Sequence, residues 1–366
     1  MNEMYIWQQK EFPKFYWDEQ KVTNRLVQVS HQHGKLLGIM SVVGFDLKNN
    51  AILDSMTEDI IMSSEIEGIM LNADDVRSSI AWQLGMDQAG VPTTDRYIEG
   101  VVEVMFDAVH NYDKPLTEER LFGWHSSLFP KPSRLQHLTI GSWRKSEMPM
   151  QVVSGRYGNE KVHYEAPESK DVPRMMGDFL DWMQAEKQTD PVLVAAIAHL
   201  WFVTIHPFSD GNGRIGRTIM DMLLAKADDA PYRFYSMSAA IGRNRKAYYK
   251  ALESTQKGNL DITEWLIWFL GCMEEAIDKA SEIVNRTLHK AAFWEKHRHT
   301  SMNDRQTTVV NMLWDGFEGK LTSTKWAKIT KCSPDTALRD IQDLMQKGIL
   351  NKADAGGRST NYELNI

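Results

Sequence analysis

The chain has 366 residues, of which 42% are hydrophobic and 25% charged, as expected of a globular protein with room for two or three domains. A formal charge of -7 argues against nucleic-acid binding by net attraction, although a local basic face would escape the count. Only Cys272 and Cys332 occur, far apart, so neither a disulfide framework nor a cysteine metal site is indicated. With neither a leader pattern nor an 18-residue apolar run, the expected compartment is the cytoplasm, without a membrane span.

Residues 1–48 open with aromatics (Tyr5, Trp7, Phe12, Phe15, Tyr16, Trp17), followed by Val22, Leu26, Val29, Leu36, Leu37 and Met40 at helical spacing. This predicts a helix packed by an aromatic arm. His31 and His33 cannot face one ligand on a helix and read as surface histidines. Asn49 or Asn50 is placed to cap a helix through Ile52, Met56, Ile60 and Met62 that ends at Gly68. Its last turn carries Ser63, Glu65 and Glu67. Carboxylates there oppose the helix dipole at about 0.3–1 kcal/mol each, so a partner is expected for one of them.

Two helices are predicted between Asp74 and Asp113, on either side of a breaker run at 85–94. Thr117 starts another, in which His125 reads as a packed core residue. Beyond Pro130-Lys131-Pro132 and Gly141-Ser142-Trp143-Arg144, the runs Met150–Val153 and Lys161–Tyr164 form a candidate hairpin around Ser154–Asn159. Val172 to Met183 is an amphipathic helix. Pro191 to Ile205 is almost continuously apolar and suits a buried helix with proline in its first turn.

The next stretch, His206-Pro207-Phe208-Ser209-Asp210-Gly211-Asn212-Gly213-Arg214-Ile215-Gly216-Arg217, concentrates polar and glycine residues between two apolar segments. A second helix is predicted to begin near Asn212. Asp-Gly-Asn-Gly permits a tight turn that aims the amides of this helix outward, a site for phosphate. Arg214 and Arg217, three apart, can clamp an extended polyphosphate. Asp210 is a hard oxygen ligand suited to magnesium, and His206 is placed as a general base. These parts suit phosphoryl or nucleotidyl transfer.

The stretch resembles the signature of the Fic family, His-Pro-Phe-x-Asp-Gly-Asn-Gly-Arg-x-x-Arg, at every fixed position. The resemblance implies a helical core that moves AMP from ATP onto a Ser, Thr or Tyr hydroxyl of a protein, possible self-modification included. It implies His206 as base and Asp210 as the Mg2+ ligand. Nucleotide and phosphates fall to Thr204, Gly211, Asn212, Gly213, Arg214, Ile215, Gly216 and Arg217. Ser63-x-x-x-Glu67-Gly68 resembles the family's inhibitory motif, which implies that Glu67 pairs with Arg217 and blocks a productive ATP pose, with Ser63 bonded to the Glu67 carboxylate. The hairpin resembles the family flap, implying that Val152, Val153, Val162, His163 and Tyr164 dock an extended target segment. Residues 1–48 resemble the small domain preceding some bacterial Fic cores. Arg243 to Leu252 resembles the segment lining the adenine pocket, with Asn244, Tyr248 and Tyr249 as candidates; from the residues alone the two tyrosines suit the core equally well.

Leu260 to Val284 predicts a long closing helix, and residues 297–301 a linker. Helices at 307–314, 322–330 and 333–346, then strands near Ile349 and Tyr362 flanking Gly356-Gly357-Arg358, suggest a winged helix-turn-helix. Residues 304–366 hold 9 Lys and Arg against 8 Asp and Glu, weak for a DNA binder, though Arg339 and Arg358 are candidate contacts; docking of a protein or support of a homodimer suits the tail equally. The expected fold is mainly α: an N-terminal helical segment (1–48), a Fic helical core (49–290) with inhibitory helix (50–68) and short β-hairpin flap (148–167), and a winged helix-turn-helix (300–366). Removal of AMP, another nucleotide or phosphodiester donor at the same site, and DNA-binding regulation through the tail remain open alternatives.

Overall fold

The computed structural model describes residues 4–86, 95–130, 138–156, 159–353 and 360–365. Residues 87–94 of the predicted breaker run, Lys131 and Pro132, Tyr157 and Gly158 of the hairpin turn, and Gly356-Gly357-Arg358 lie outside the described residues. The chain divides into two compact units, 1–280 and 281–366. The aromatic arm belongs to the first unit, and the second begins earlier than the boundary expected at 300. No helix among the described residues is long and apolar enough to cross a membrane.

In the first unit Asp18 accepts the Lys21 amide and starts α1 (Glu19–Val42). The arm before it packs on the core: Phe12 and Phe15 meet Trp201 edge-on at 6.1 and 5.9 Å, and Trp7 Nε1 donates to the Glu165 carbonyl at 2.9 Å. His33 is not on the surface as expected. It is buried, edge-on to Tyr235 at 5.2 Å and 3.4 Å from an Asp228 carboxylate oxygen, neighbours that helical spacing alone does not reveal.

α2 (Phe45–Ile66) begins after a Gly44 N-cap. Asn49 and Asn50 therefore lie inside the helix, because the chain reaches a capping conformation at Gly44 before either asparagine. It ends as expected: Gly68 has φ 80, and its amide and that of Ile69 donate to the Glu65 and Ser64 carbonyls. Asn72 caps α3 (Ala73–Gln83), Asp95 caps α4 (Arg96–His110), and Thr117 caps α5 (Glu118–Leu128). β1 (Gln151–Arg156) and β2 (Asn159–Glu165) pair antiparallel, Val152 opposite Tyr164 and Val153 opposite Val162, with a bulge between Val152 and Val153. α6 (Val172–Ala185) follows.

Two helices form the centre. α7 (Pro191–Ile205) starts on an Asp190 cap and is apolar all round because nearly all of it is buried. α8 (Asn212–Ala227) packs closely along it through Gly216, where a Cβ would stand 2.9 Å from Val203 Cγ1 and 3.4 Å from Phe202 Cδ1. α9 (Met237–Arg243) and α10 (Arg245–Gln256) follow, and α9 packs on α2. α11 (Thr263–Lys296) runs well past the Val284 end expected for it.

The second unit adds α12 (Asp304–Trp314) with an Asn303/Gln306 capping box, α13 (Ser323–Thr330), and α14 (Pro334–Gln346) capped by Ser333. Strands β3 (Leu350–Lys352) and β4 (Tyr362–Leu364) pair antiparallel, and Leu321 bridges to Tyr362. Val309, Trp326, Ile341 and Leu344 centre its core.

Candidate active site

His206 terminates α7 in the left-handed conformation (φ 53, ψ 57), its amide bonded to the Phe202 carbonyl. That conformation costs a non-glycine residue about 1–3 kcal/mol, and Arg144 holds it in place. Arg144 Nε donates to the His206 carbonyl at 2.8 Å, its guanidinium also donates to the Pro167 carbonyl and Ser169 Oγ, and its amide donates to the Pro207 carbonyl at 2.9 Å. The His206 Nδ1 lies 3.1 Å from the Val203 carbonyl. A carbonyl only accepts, so Nδ1 carries the proton and Nε2 keeps its lone pair. Burial holds this imidazole below its usual pKa against the opposing pull of the Val203 carbonyl, leaving a neutral base at pH 7.

The ring lines a cavity of ≈ 750 Å³ whose walls are the hairpin, residues 209–213, α10 and Glu67. Gly211 has φ 81, a turn that favours glycine. The Asn212 side chain closes the loop, accepting the Phe208 amide and donating to the Phe208 carbonyl, both at 2.9 Å. Beneath it His125 stacks on Phe208 at 4.2 Å, accepts the Gly141 amide on Nδ1 at 3.0 Å and reaches the Asp210 carbonyl from Nε2 at 3.2 Å. Burial depresses its pKa to about 4, so it is neutral and donates from Nε2.

Glu67 reaches over the first turn of α8. A Cβ on Gly213 would stand 2.1 Å from Glu67 Oε1, so the carboxylate occupies the place where helix dipole and free amides favour an anion. Arg217 Nη2 donates to Oε1 at 2.8 Å. The same guanidinium donates to the Ser63 carbonyl at 2.8 Å and to Ser63 Oγ at 2.9 Å, and it is 1% exposed. Burial opposes ionisation of Glu67, yet Arg217, with Arg214 and His206 nearby, brings its pKa below the usual value. Two turns back along α2, Asp59 accepts Arg233 Nη2 at 3.0 Å, Ser236 Oγ at 2.6 Å and the Ser238 amide at 2.9 Å. Arg233 also binds Asp221 of α8. One guanidinium shared by two buried carboxylates ties α2 to α8, and burial pushes Asp221 up to about 7.

Residues 115–224, which hold His125, Arg144 and the whole His206–Arg217 stretch, match the model of the Fic/DOC family. The chain carries a Fic domain. Residues 5–86 match a domain of unknown function, DUF4172, so Glu67 lies in that region and its partner Arg217 in the Fic domain. An Aquifex aeolicus protein named as a probable protein adenylyltransferase is 26% identical over 226 residues, 61% of this chain and 62% of its own. The protein adenylyltransferase Fic of Nematostella vectensis is 32% identical over 132 residues, 34% of this chain and 29% of its own. The chain thus spans less than two thirds of these curated relatives. In fold it is similar to a Fic family protein of Desulfovibrio desulfuricans, with TM-score 0.54, 20% identity, and 95% and 97% of the two chains covered. A C. elegans Fic-1 structure has TM-score 0.52 at 18% identity, covering 74% of each chain.

Of the site residues expected from sequence, His206, Asp210, Gly211, Asn212, Gly213, Glu67, Tyr248, Tyr249, Val152, Val153, His163 and Tyr164 line the one cavity. Others lie elsewhere. Thr204 is fully buried behind it, with Oγ1 bonded to Gln256 Nε2 and its carbonyl to the Tyr164 hydroxyl. Ile215 is core and Gly216 is a packing glycine. Asn244 is not among the lining residues; its amide donates to the Ala240 carbonyl and Glu275. Tyr248 is buried with its hydroxyl 2.9 Å from His199 Nε2, whereas Tyr249 is 38% exposed beneath Arg245. Arg214 is buried, bonded to the Tyr97 hydroxyl at 2.8 Å and stacked over Phe129. Ser63 bonds Arg217 rather than the Glu67 carboxylate as expected, because its hydroxyl and carbonyl both face the guanidinium. Arg144 and Tyr97 carry no sequence signal of their role: Arg144 binds mostly backbone carbonyls, which any residue supplies.

Proposed function

We propose that the Fic domain transfers AMP from ATP to a Ser, Thr or Tyr hydroxyl of a protein, and that Glu67 keeps the reaction low. The observation that carries this reading is the pair of competing groups at α8: a free His206 Nε2 at the cavity, and a Glu67 carboxylate seated over Gly213 and held by Arg217. His206 takes the proton of the target hydroxyl, whose oxygen attacks the α-phosphorus as pyrophosphate departs. The amides of Asn212 and Gly213 at the start of α8 bind phosphate oxygens, and Arg217 becomes available to the triphosphate when Glu67 leaves. The names of the curated relatives support the same activity.

Asp210 lines the cavity, and among the described residues its Oδ1 takes the adjacent Gly211 amide at 2.6 Å. A hard carboxylate beside a phosphate site fits Mg2+, with phosphates and water completing the sphere. Such an ion would neutralise charge on the phosphates.

Target docking falls to the hairpin. Among the described residues it is two-stranded, which leaves an edge of each strand for strand addition, and the Val153–Val162 pair is 47% and 37% exposed. Tyr164, fully inside and bonded to the Thr204 carbonyl, acts as its anchor instead. Tyr249, exposed beside the cavity, is the better stacking surface for adenine. We read the second unit as a winged helix-turn-helix, on its three helices and hairpin, and place the protein in the cytoplasm, which suits its free thiols Cys272 and Cys332.

The test is a donor screen. Glu67→Gly enzyme is incubated with lysate and each of several labelled nucleoside triphosphates or phosphodiester donors, and modified peptides are mapped by mass. AMP on a hydroxyl side chain from ATP is expected; an adduct from another donor, with ATP inert, would overturn the assignment.

A further inference from the structure

Three cavity side chains have no chemical role in that reading: Ser154 of β1, His163 of β2 and Glu253 of α10. Ser154 Oγ lies 2.6 Å from His163 Nε2. His163 Nδ1 lies 2.9 Å from Glu253 Oε2, and Glu253 Oε1 takes the Lys257 ammonium at 3.0 Å. Ser154 and His163 are diagonal neighbours on one face of the hairpin, since Ser154 pairs with Lys161.

The proton positions follow from the partners. Although burial opposes it, the hydrogen bonds from His163 and Lys257 hold the Glu253 carboxyl below its usual pKa, and an ionised carboxylate only accepts. Nδ1 of His163 therefore donates, which leaves Nε2 facing the Ser154 O–H. Nucleophile, base and orienting acid lie within hydrogen-bond reach, the arrangement that activates a weak hydroxyl. A clasp holding the hairpin to α10 would need only His163 and Glu253. The serine is exposed and faces the cavity that holds His206 and the α8 amides.

We propose that Ser154 is itself an acceptor of the nucleotidyl group, with His163 as its base and Glu253 as the positioning residue. The step rests on the nucleotidyl-transfer reading above. Ser154 Oγ bonds to the α-phosphorus of a nucleoside triphosphate while its proton passes to His163 Nε2. The bond from that phosphorus to the bridging oxygen breaks, and pyrophosphate leaves. The adduct then lies in the cavity on the strand that would present a target, and so competes with modification of other proteins.

Two probes of the full chain test this. A fluorophosphonate, which bonds to an activated serine with loss of fluoride, should label Ser154 without any nucleotide. ATP supplied to Glu67→Gly enzyme should leave AMP on the Ser154 peptide. Ser154→Ala should remove both adducts, and His163→Gln should slow both at least about a hundredfold, the contribution of a general base. Glu253→Gln should slow phosphonylation and move the midpoint of its pH profile to lower pH, which loss of a merely structural contact would not do. Absence of both adducts, or yields indifferent to His163→Gln, would overturn the proposal. Phosphonylation of Ser154 with AMP on lysate proteins but not on Ser154 overturns this inference alone. Phosphonylation with no AMP on any protein overturns the nucleotidyl donor of both readings.

Discussion

Glu67 and Arg217 meet in one hydrogen bond of 2.8 Å, with Arg217 1% exposed and the Glu67 side chain 32% exposed. A hydrogen bond to a charged group contributes about 1.5–3 kcal/mol, so its loss should free the anion site by about 10- to 150-fold. Glu67→Gly removes both the charge and the bond. Glu67→Gln keeps an acceptor over Gly213 but no charge, and a neutral bond is worth about 0.5–1.5 kcal/mol. Initial rates of AMP incorporation into lysate protein at saturating ATP should therefore rank wild type, Gln, then Gly. The sign of the pH dependence follows from the depressed carboxyl: repression is fully present above the ordinary carboxylate pKa, about 4.3, and fades only as pH falls through the lower folded value. Wild-type repression should be flat from neutral pH upward. Equal rates for all three forms, or Gln faster than Gly, would refute this account of the contact.

Three further outcomes follow from the geometry. Because burial lowers the His206 pKa, the rate of Glu67→Gly enzyme should climb with pH through a midpoint below the ordinary histidine value and be level at neutral pH; removing the Glu67 charge, which favours imidazolium, pushes that midpoint lower still. In the Glu67→Gly background, Arg144→Ala should cut the initial rate by about tenfold or more, since the charge-assisted bond on the His206 carbonyl is worth about 1.5–3 kcal/mol; an unchanged rate in a folded variant would remove Arg144 from the site. Gly216→Val should overpack the α7–α8 contact by about 1–3 kcal/mol and lower the thermal midpoint by several degrees, at about 2–4 °C per kcal/mol.

The helices were legible wherever a local cap or an apolar period announces them. Asp190-Pro191 and Ser333-Pro334 mark the starts of α7 and α14, and the breaker His206–Gly211 separates α7 from α8. Errors arose where the deciding partner is distant. His33 is polar and evenly spaced with an exposed histidine, and only Tyr235 and Asp228, some two hundred residues away, make it core. α2 starts earlier than the sequence suggests because Asn49 and Asn50 advertise a side-chain cap and Gly44 offers none. α11 was cut short because its apolar spacing weakens before Phe293, which packs against Trp314 at 5.6 Å. Within the site, side chains with a chemical signature are legible, as is His125 as a packed core residue, while Arg144 is not, because it acts through backbone carbonyls. Ser154–His163–Glu253 also escaped, since it needs the strand register and α10 together.

The central claim is that His206 performs a transfer which Glu67 withholds. Its most direct measurement is protein-bound label from α-labelled ATP on lysate proteins other than the enzyme, compared across wild type, Glu67→Gly and Glu67→Gly/His206→Ala. The account predicts little label, much label and none, in that order. Label on those proteins that persists without His206, or fails to rise without Glu67, would contradict it.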